Sequence, residues 1–275
     1  GCTHHKCKFC TLYDDIPFKF KMSPLEDIES DLKETKGSFK FLSPKVSRTF
    51  LTGANPFVLK ASRLIEIANL IQKYLPSNRS IGCFSRITDI DNKSDEELLQ
   101  LSKIGYDGLT IGIETGDDDA LEFMNKGYHS TDITLQCNRL DKAGISYNFF
   151  YLTGISGASN GEKGAKATAN ICNQTNPKII GANMMTIYPN SELFQEIQNE
   201  NWTEETEIEK YKELRTLVEN LNIPVFFAAG GASNAIYIQG TIPQDKKKIL
   251  STLDKIIKNV NEDDLRNYRK NLRHL

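Results

Sequence analysis

Apolar residues fall along this chain in two alternating rhythms. Short runs with a period of two, or of unbroken apolar character, read as strands, and longer stretches with a period of 3.6 read as helices. Residues 49–52 (Thr-Phe-Leu-Thr) read as a buried strand, and the helix after it sets Leu64, Ile67, Ala68, Ile71 and Leu75 on one face. A second strand is predicted over 80–87. Ser94, with Glu97 three residues on, forms a capping box for a helix that carries Leu98 and Leu101 and closes at Gly105. A strand over 109–114 follows, then a helix with Ile133, Cys137 and Leu140 that Gly144 stops. Further strands are predicted over 147–152 and 182–188, with a helix over 165–172 between them. Upstream, Ser23-Pro24-Leu25-Glu26 starts a helix with Leu25, Ile28 and Leu32 turned inward.

The repeating unit is strand, loop, helix, at roughly 30 residues each, which suits βαβ units with right-handed crossovers and a parallel sheet. The fold class expected is α/β: a partial, open parallel β/α barrel of about six strands. Five of these are counted up to residue 188, and the remaining one is expected before Gly1, so the chain reads as a fragment lacking its first strand. After Trp202 the pattern changes. A charged helix carries Ile208, Tyr211, Leu214, Val218 and Leu221, and a strand over 225–227 follows it. A Gly- and Ala-rich stretch comes next, and an amphipathic helix with Ile249, Leu253, Ile256 and Val260 ends the pattern. Residues 1–200 are therefore expected to form the barrel core, and 201–275 a C-terminal α/β extension packed on it. The segment 228–234 reads as a mobile lid.

Composition narrows the function classes. The 275 residues are 39% hydrophobic and 25% charged, the balance of a globular chain able to bury a large core. The formal net charge of −2 gives no electrostatic reason to favour nucleic acid or an anionic membrane. No apolar run approaches the ~20 residues that span a bilayer, and no signal-peptide pattern opens the chain. Six cysteines are too few and too uneven for a disulfide scaffold. Three lie within the first ten residues, whereas Cys83, Cys137 and Cys172 stand singly. This asymmetry suggests one metal site plus three structural thiols in a reducing, cytoplasmic setting.

Gly1-Cys-Thr-His-His-Lys-Cys-Lys-Phe-Cys10 presents three thiols from one short loop. Cysteine thiolates at such spacings hold iron–sulfur clusters, and three ligands without a fourth leave one iron open. Zinc is the alternative, because Cys2, Cys7 and Cys10 with His4 or His5 would complete a tetrahedral Cys₃His site. A redox Cys-x-x-Cys fits less well, since it follows a strand at a helix N-terminus and needs no third cysteine.

The loop resembles the signature of the radical S-adenosylmethionine (radical SAM) superfamily, C-x₃-C-x₂-C with an aromatic residue before the last cysteine. Phe9 matches that aromatic, and the departure is one extra residue between the first two cysteines. Other pieces follow in the order of the family's coproporphyrinogen-oxidase-like and methylthiotransferase-like branches. Phe50-Leu-Thr-Gly-Ala-Asn-Pro56 is similar to the glycine-rich strand end that holds the methionyl amino group of SAM. Here Gly53, Ala54 and Asn55 stand without the usual acidic residue, so backbone carbonyls are expected to bind. Ile111-Gly-Ile-Glu-Thr-Gly-Asp117 with Met124-Asn-Lys-Gly127 resembles the next contact segment and assigns Glu114 to the SAM ribose or amino acid. Leu152-Thr-Gly-Ile-Ser-Gly157 resembles the loop beside adenine and assigns Gly154 and Ile155. Thr186 to Leu193 resembles the segment after the last core strand. Arg86 is a candidate for a SAM carboxylate or substrate contact, with a plain surface arginine as the alternative.

The resemblance implies a [4Fe–4S] cluster on Cys2, Cys7 and Cys10, SAM as second cofactor, and reductive cleavage of SAM to start radical chemistry on a substrate. It also implies an electron donor such as a flavodoxin or ferredoxin. The default substrate is a small molecule, and no catalytic residue is assigned. The absence of a second cysteine cluster argues against subclasses with an auxiliary cluster. Two other classes stay open: a non-catalytic zinc- or iron–sulfur-binding module, and an ordinary α/β-barrel enzyme whose cysteine loop is structural.

Overall fold

The computed structural model describes residues 1–18, 20–39 and 46–271. In chain order the elements are α1 (Leu25–Phe39), β1 (Arg48–Leu51), a 3₁₀ turn (Pro56–Val58), α2 (Ala61–Tyr74), β2 (Ser80–Ser85), α3 (Ile87–Asp91), α4 (Asp95–Lys103), β3 (Leu109–Glu114) and α5 (Asp118–Phe123). They continue with α6 (Ser130–Ala143), β4 (Tyr147–Thr153), α7 (Gly161–Cys172), β5 (Ile179–Met184), α8 (Glu192–Gln198), α9 (Glu207–Asn220), β6 (Val225–Ala229), β7 (Ile238–Ile242), α10 (Lys246–Asn259) and α11 (Glu262–Lys270). Two compact units share them. The first comprises Gly1–His5, Tyr13–Ile111 and Asn138–Tyr147; the second comprises Lys6–Leu12, Gly112–Cys137 and Asn148–Leu275.

In the first unit β1 lies parallel to β2, with Phe50 opposite Gly82, and β2 lies parallel to β3, with Phe84 opposite Thr110. The predicted helix face is present: Leu64, Ile67, Ala68 and Ile71 of α2 are all buried. Ser94 caps α4 as expected, its hydroxyl accepting from the Glu97 N–H at 3.2 Å while its own N–H donates to Glu97 Oε2 at 2.9 Å. Gly144 takes φ +75° just beyond α6, the left-handed position that ends a helix.

In the second unit β4, β5 and β6 run parallel, and β7 runs antiparallel to β6. Among the described residues the strand order β1 to β7 follows the chain, and no β1–β7 pairing is present. The fold is α/β with a mostly parallel, open sheet, as expected.

Four particulars differ from the sequence reading. β1 is not a buried strand but alternates exposed and half-buried positions, because among the described residues β2 is its one neighbour in the sheet. The strand predicted over 182–188 starts earlier, at Ile179, and ends at Met184. The strand expected over 225–227 is a sixth parallel strand of the same sheet, paired with β5 from Ile179 opposite Phe226. Finally, the segment read as a lid is fastened down. Asn234 donates to the Ala182 carbonyl at 3.1 Å and accepts from the Met184 N–H at 3.1 Å, and Arg269 donates to the Ser233 carbonyl at 2.8 Å. The extension expected over 201–275 includes residues 272–275, which lie outside the described residues.

Candidate active site

The second half of the cysteine loop belongs to the second unit and is held there by its backbone. Cys10 N–H donates to the Cys7 carbonyl at 3.1 Å, which makes Cys7 to Cys10 one tight turn. Inside that turn, Lys8 N–H donates to the Met124 carbonyl at 3.2 Å, and the Lys8 carbonyl accepts from the Leu193 N–H at 2.8 Å. The Lys8 ammonium pairs with Glu196 and lies 4.3 Å from the centre of the Phe123 ring. Phe9 packs against the buried cluster of Met124, Ile155, Met185 and Leu193. The aromatic residue of the motif is thus an apolar anchor between the two cysteines, of which Cys7 is half-buried and Cys10 exposed.

The first half belongs to the first unit. There the Asn55 amide nitrogen donates to Thr3 Oγ1 at 2.8 Å and to both Asp89 carboxylate oxygens at 3.1 Å. Asp89 also accepts from the Arg86 backbone N–H at 2.8 Å, which starts α3. Burial pushes the Asp89 carboxyl up from its ordinary range, and the bonds from Arg86 and Asn55 oppose that rise. Lys93, also buried, is lowered to about 8, chiefly by desolvation. Gly53, Ala54 and Asn55 line a cavity of about 390 Å³ together with Gly1 and Thr52. Arg86 is buried, so the surface-arginine alternative is set aside.

Glu114 and the loop after β4 lie in the second unit. Glu114 ends β3 at φ +61°, a left-handed conformation that a non-glycine residue holds only where its surroundings insist. Lys126 supplies that insistence. Its ammonium sits 3.0 Å from Glu114 Oε1 and donates to the Gly112 carbonyl at 3.2 Å, and both side chains are largely withdrawn from solvent. Glu114 is therefore not the solvated strand-end carboxylate that its residue type alone would suggest. A Cβ on Gly112 would come within 2.5 Å of Glu114 Oε1, so a side chain there would make the folded-back carboxylate move. The Lys126 ammonium also lies 5.8 Å from the centre of the Phe9 ring, linking Glu114 to the cysteine turn. Gly154 takes φ +91°, and its N–H donates to Glu213 Oε2 at 2.7 Å. The Ile155 side chain is fully buried beside Phe9, so the loop presents its backbone.

The structure thus joins Gly53, Ala54 and Asn55 with Arg86 through Asp89 in one unit, and in the other it joins Phe9 with Glu114 through Lys126 and with Ile155 through the apolar cluster. Among the described residues, no three His, Cys, Asp or Glu side chains stand together as a ready metal-binding group. The donor chemistry nevertheless fits an iron–sulfur cluster. Cys2, Cys7 and Cys10 are outside any disulfide and partly open to solvent, whereas Cys83, Cys137 and Cys172 are fully buried. Burial drives the Cys172 thiol up to about 12 and the Cys83 thiol higher still, which keeps both protonated. Asn55 fits the second cofactor: its Oδ1 is buried without a hydrogen-bond partner, an acceptor suited to the ammonium of an amino acid. Asp89 escaped the sequence reading, and Lys126 entered it only as part of the Met124–Gly127 motif, without a role. Nothing in composition or spacing marks which charged residue will be buried behind a site residue.

Residues 1–163 match the family model described as the Radical SAM superfamily. The chain belongs to the radical SAM superfamily. Its members use a [4Fe–4S] cluster and SAM. The heme chaperone HemW of Bacillus subtilis (strain 168) is 23% identical over 145 residues, covering 51% of this chain and 37% of the relative. The heme chaperone HemW of Buchnera aphidicola subsp. Schizaphis graminum (strain Sg) is 22% identical over 203 residues, covering 71% and 52% respectively. The chain therefore spans about half or less of the length of these curated relatives. Among solved structures, methylornithine synthase (PylB) superposes with a TM-score of 0.54 at 14% identity, covering 97% of this chain and 82% of that one, which is a likeness of fold. No helix among the described residues is long and apolar enough to cross a membrane.

Proposed function

We propose that this chain carries the core of an enzyme that cleaves SAM reductively and starts radical chemistry on a small-molecule substrate. The observation that carries the reading is the Cys7–Cys10 turn, pinned through Lys8 and Phe9 with Cys7 half-buried and Cys10 exposed, in a chain of this superfamily. Cys2, Cys7 and Cys10 would hold the [4Fe–4S] cluster, and the loop would gather around it on loading, as metal loops commonly do. When bound, the cluster supplies the electron that breaks a carbon–sulfur bond of SAM.

The chain's own residues bind and orient. Gly53, Ala54 and Asn55 receive the methionyl ammonium, and Arg86 serves its carboxylate. Glu114, set in place by Lys126, would serve the ribose or amino acid, and the Gly154–Ile155 backbone would serve adenine. Phe9 and its apolar cluster keep water from the back of the cysteine turn. A flavodoxin or ferredoxin in the cytoplasm would deliver the electron. The name of the HemW relatives favours a heme-related substrate as the finer reading.

One observation favours a second reading. His5 Nε2 bonds Asp14 at 3.0 Å while its buried Nδ1 has no hydrogen-bond partner, the arrangement of a histidine oriented for a metal. This suits a zinc module built on Cys₃His. Anaerobic incubation of the iron- and sulfide-reconstituted protein with dithionite and SAM separates the two. The enzyme reading predicts 5′-deoxyadenosine above the level without protein, and loss of that product in the Cys2, Cys7 and Cys10 triple alanine variant. Product formation unchanged in the triple variant, or none in the parent protein, would contradict it.

A further inference from the structure

The glycine-rich strand end of this chain lacks the acidic side chain that would meet a methionyl ammonium, and has Asn55 instead. An amide is a two-faced group: its nitrogen donates and its oxygen accepts, and only the oxygen serves an ammonium. Which face is offered depends on what holds the other. Asn55 is 1% exposed, so no bulk water decides the matter.

We propose that Asp89 is a positioning residue for SAM, orienting the Asn55 amide so that Oδ1 is the acceptor for the methionyl ammonium. The Asp89 carboxylate lies 3.1 Å from the Asn55 nitrogen through both oxygens, and an ionised carboxylate only accepts. An Asn55 flipped end for end would set carbonyl oxygen against carboxylate in a buried place, a repulsive contact. Thr3 Oγ1, 2.8 Å from the same nitrogen, takes the other donor direction. Both donors are consumed, and the oxygen is left buried and without a partner. A buried acceptor without a partner is costly, and it persists where a ligand completes it.

The arrangement also places a negative charge one hydrogen bond behind the amide. Asp89 is also held by the Arg86 N–H, which donates to its Oδ2 at 2.8 Å. The Asp89–Asn55 pair thus stands in for the missing acidic residue, with the charge withdrawn into the protein and a neutral oxygen presented. Thr3 lies between Cys2 and Cys7, so the same amide ties the ammonium acceptor to the first half of the cysteine loop.

This inference rests on the proposed SAM chemistry but is read by binding alone. Anaerobic calorimetric titration of the reconstituted protein with SAM and with 5′-methylthioadenosine, which has the nucleoside but no ammonium, gives the two affinities for each variant. Asp89→Asn supplies a donor in place of the acceptor and lets the Asn55 amide turn. It is expected to weaken SAM at least about tenfold and to leave methylthioadenosine within about twofold. Asn55→Ala should do the same, and the Asp89→Asn/Asn55→Ala pair should be no weaker than Asn55→Ala alone, because Asp89 acts through Asn55. Thermal melting identifies any variant that fails to fold, and Asp89→Glu serves as the second variant at that position, expected to retain part of the preference for SAM. Equal loss of both ligands, unchanged SAM affinity in Asp89→Asn, or additive effects in the pair would overturn the proposal while leaving the SAM reading intact. A parent protein that binds SAM no better than methylthioadenosine would overturn both.

Discussion

At the scale of single residues, the site is built from charged groups held by opposite charges out of solvent. Glu114 and Lys126 show this most plainly, with side-chain exposures of 13% and 4% and a 3.0 Å contact. Removing one member of such a pair strands the other, which typically costs about 3 kcal/mol. Lys126→Met keeps the length of the side chain and removes only its charge and donors. It is expected to lower stability to urea unfolding by about that amount, whereas a change under about 0.5 kcal/mol, the size of an ordinary surface substitution, would show the pair to be solvated in solution. The cysteines, Phe9, Gly53 and Glu114 can be nominated from the sequence because their chemistry or spacing is distinctive. The roles of Lys126, present in the sequence only as a motif position, and of Asp89 cannot, since they arise from burial behind other residues, and burial of a charged side chain leaves no local pattern.

At the scale of elements, α9 carries a buried ionic layer beneath the loop after β4. Lys210, fully buried, lies 2.7 Å from Glu204 and 3.1 Å from Glu207. Glu213 receives the Tyr151 hydroxyl and the Gly154 N–H, and Glu205 lies beside it, almost fully buried. Desolvation raises Glu205 from 4.5 to about 7, and desolvation followed by the Glu205 charge drives Glu213 well above the ordinary range. A carboxyl whose pKa is raised by folding binds more protons in the native state. Its contribution to stability is therefore present below pH 4.5 and is lost as the pH rises through about 7. Glu205→Gln cannot ionise. Melting temperatures of the parent and this variant should draw together near pH 5 and separate by pH 8 in favour of the variant; curves parallel across that range would contradict the assignment.

Long periodic elements were legible from their apolar spacing and end signals, as the α2 face and the Ser94–Glu97 cap of α4 demonstrate. Short ones were not. α5 has six residues, less than two turns, and α11 buries only Leu265, so neither offers an apolar stripe to read. The start of β5 was misjudged because its first position, Ile179, is exposed, unlike a buried strand of a parallel sheet.

For the molecule as a whole, the sequence disclosed the α/β class and the parallel order of strands, because the strand–loop–helix rhythm is a property of the entire chain. It did not disclose that the cysteine loop would be divided, with Cys2 in one compact unit and Cys7 and Cys10 in the other. The central claim is that these three thiols hold an iron–sulfur cubane with one iron left for SAM. Mössbauer spectroscopy of iron-57-reconstituted protein, with iron, sulfide and zinc analysis on the same sample, tests it most directly. The account predicts about four irons and four sulfides per chain, with one iron site whose signal shifts when SAM is added. A single zinc without sulfide, or a cubane whose irons all ignore SAM, would contradict it.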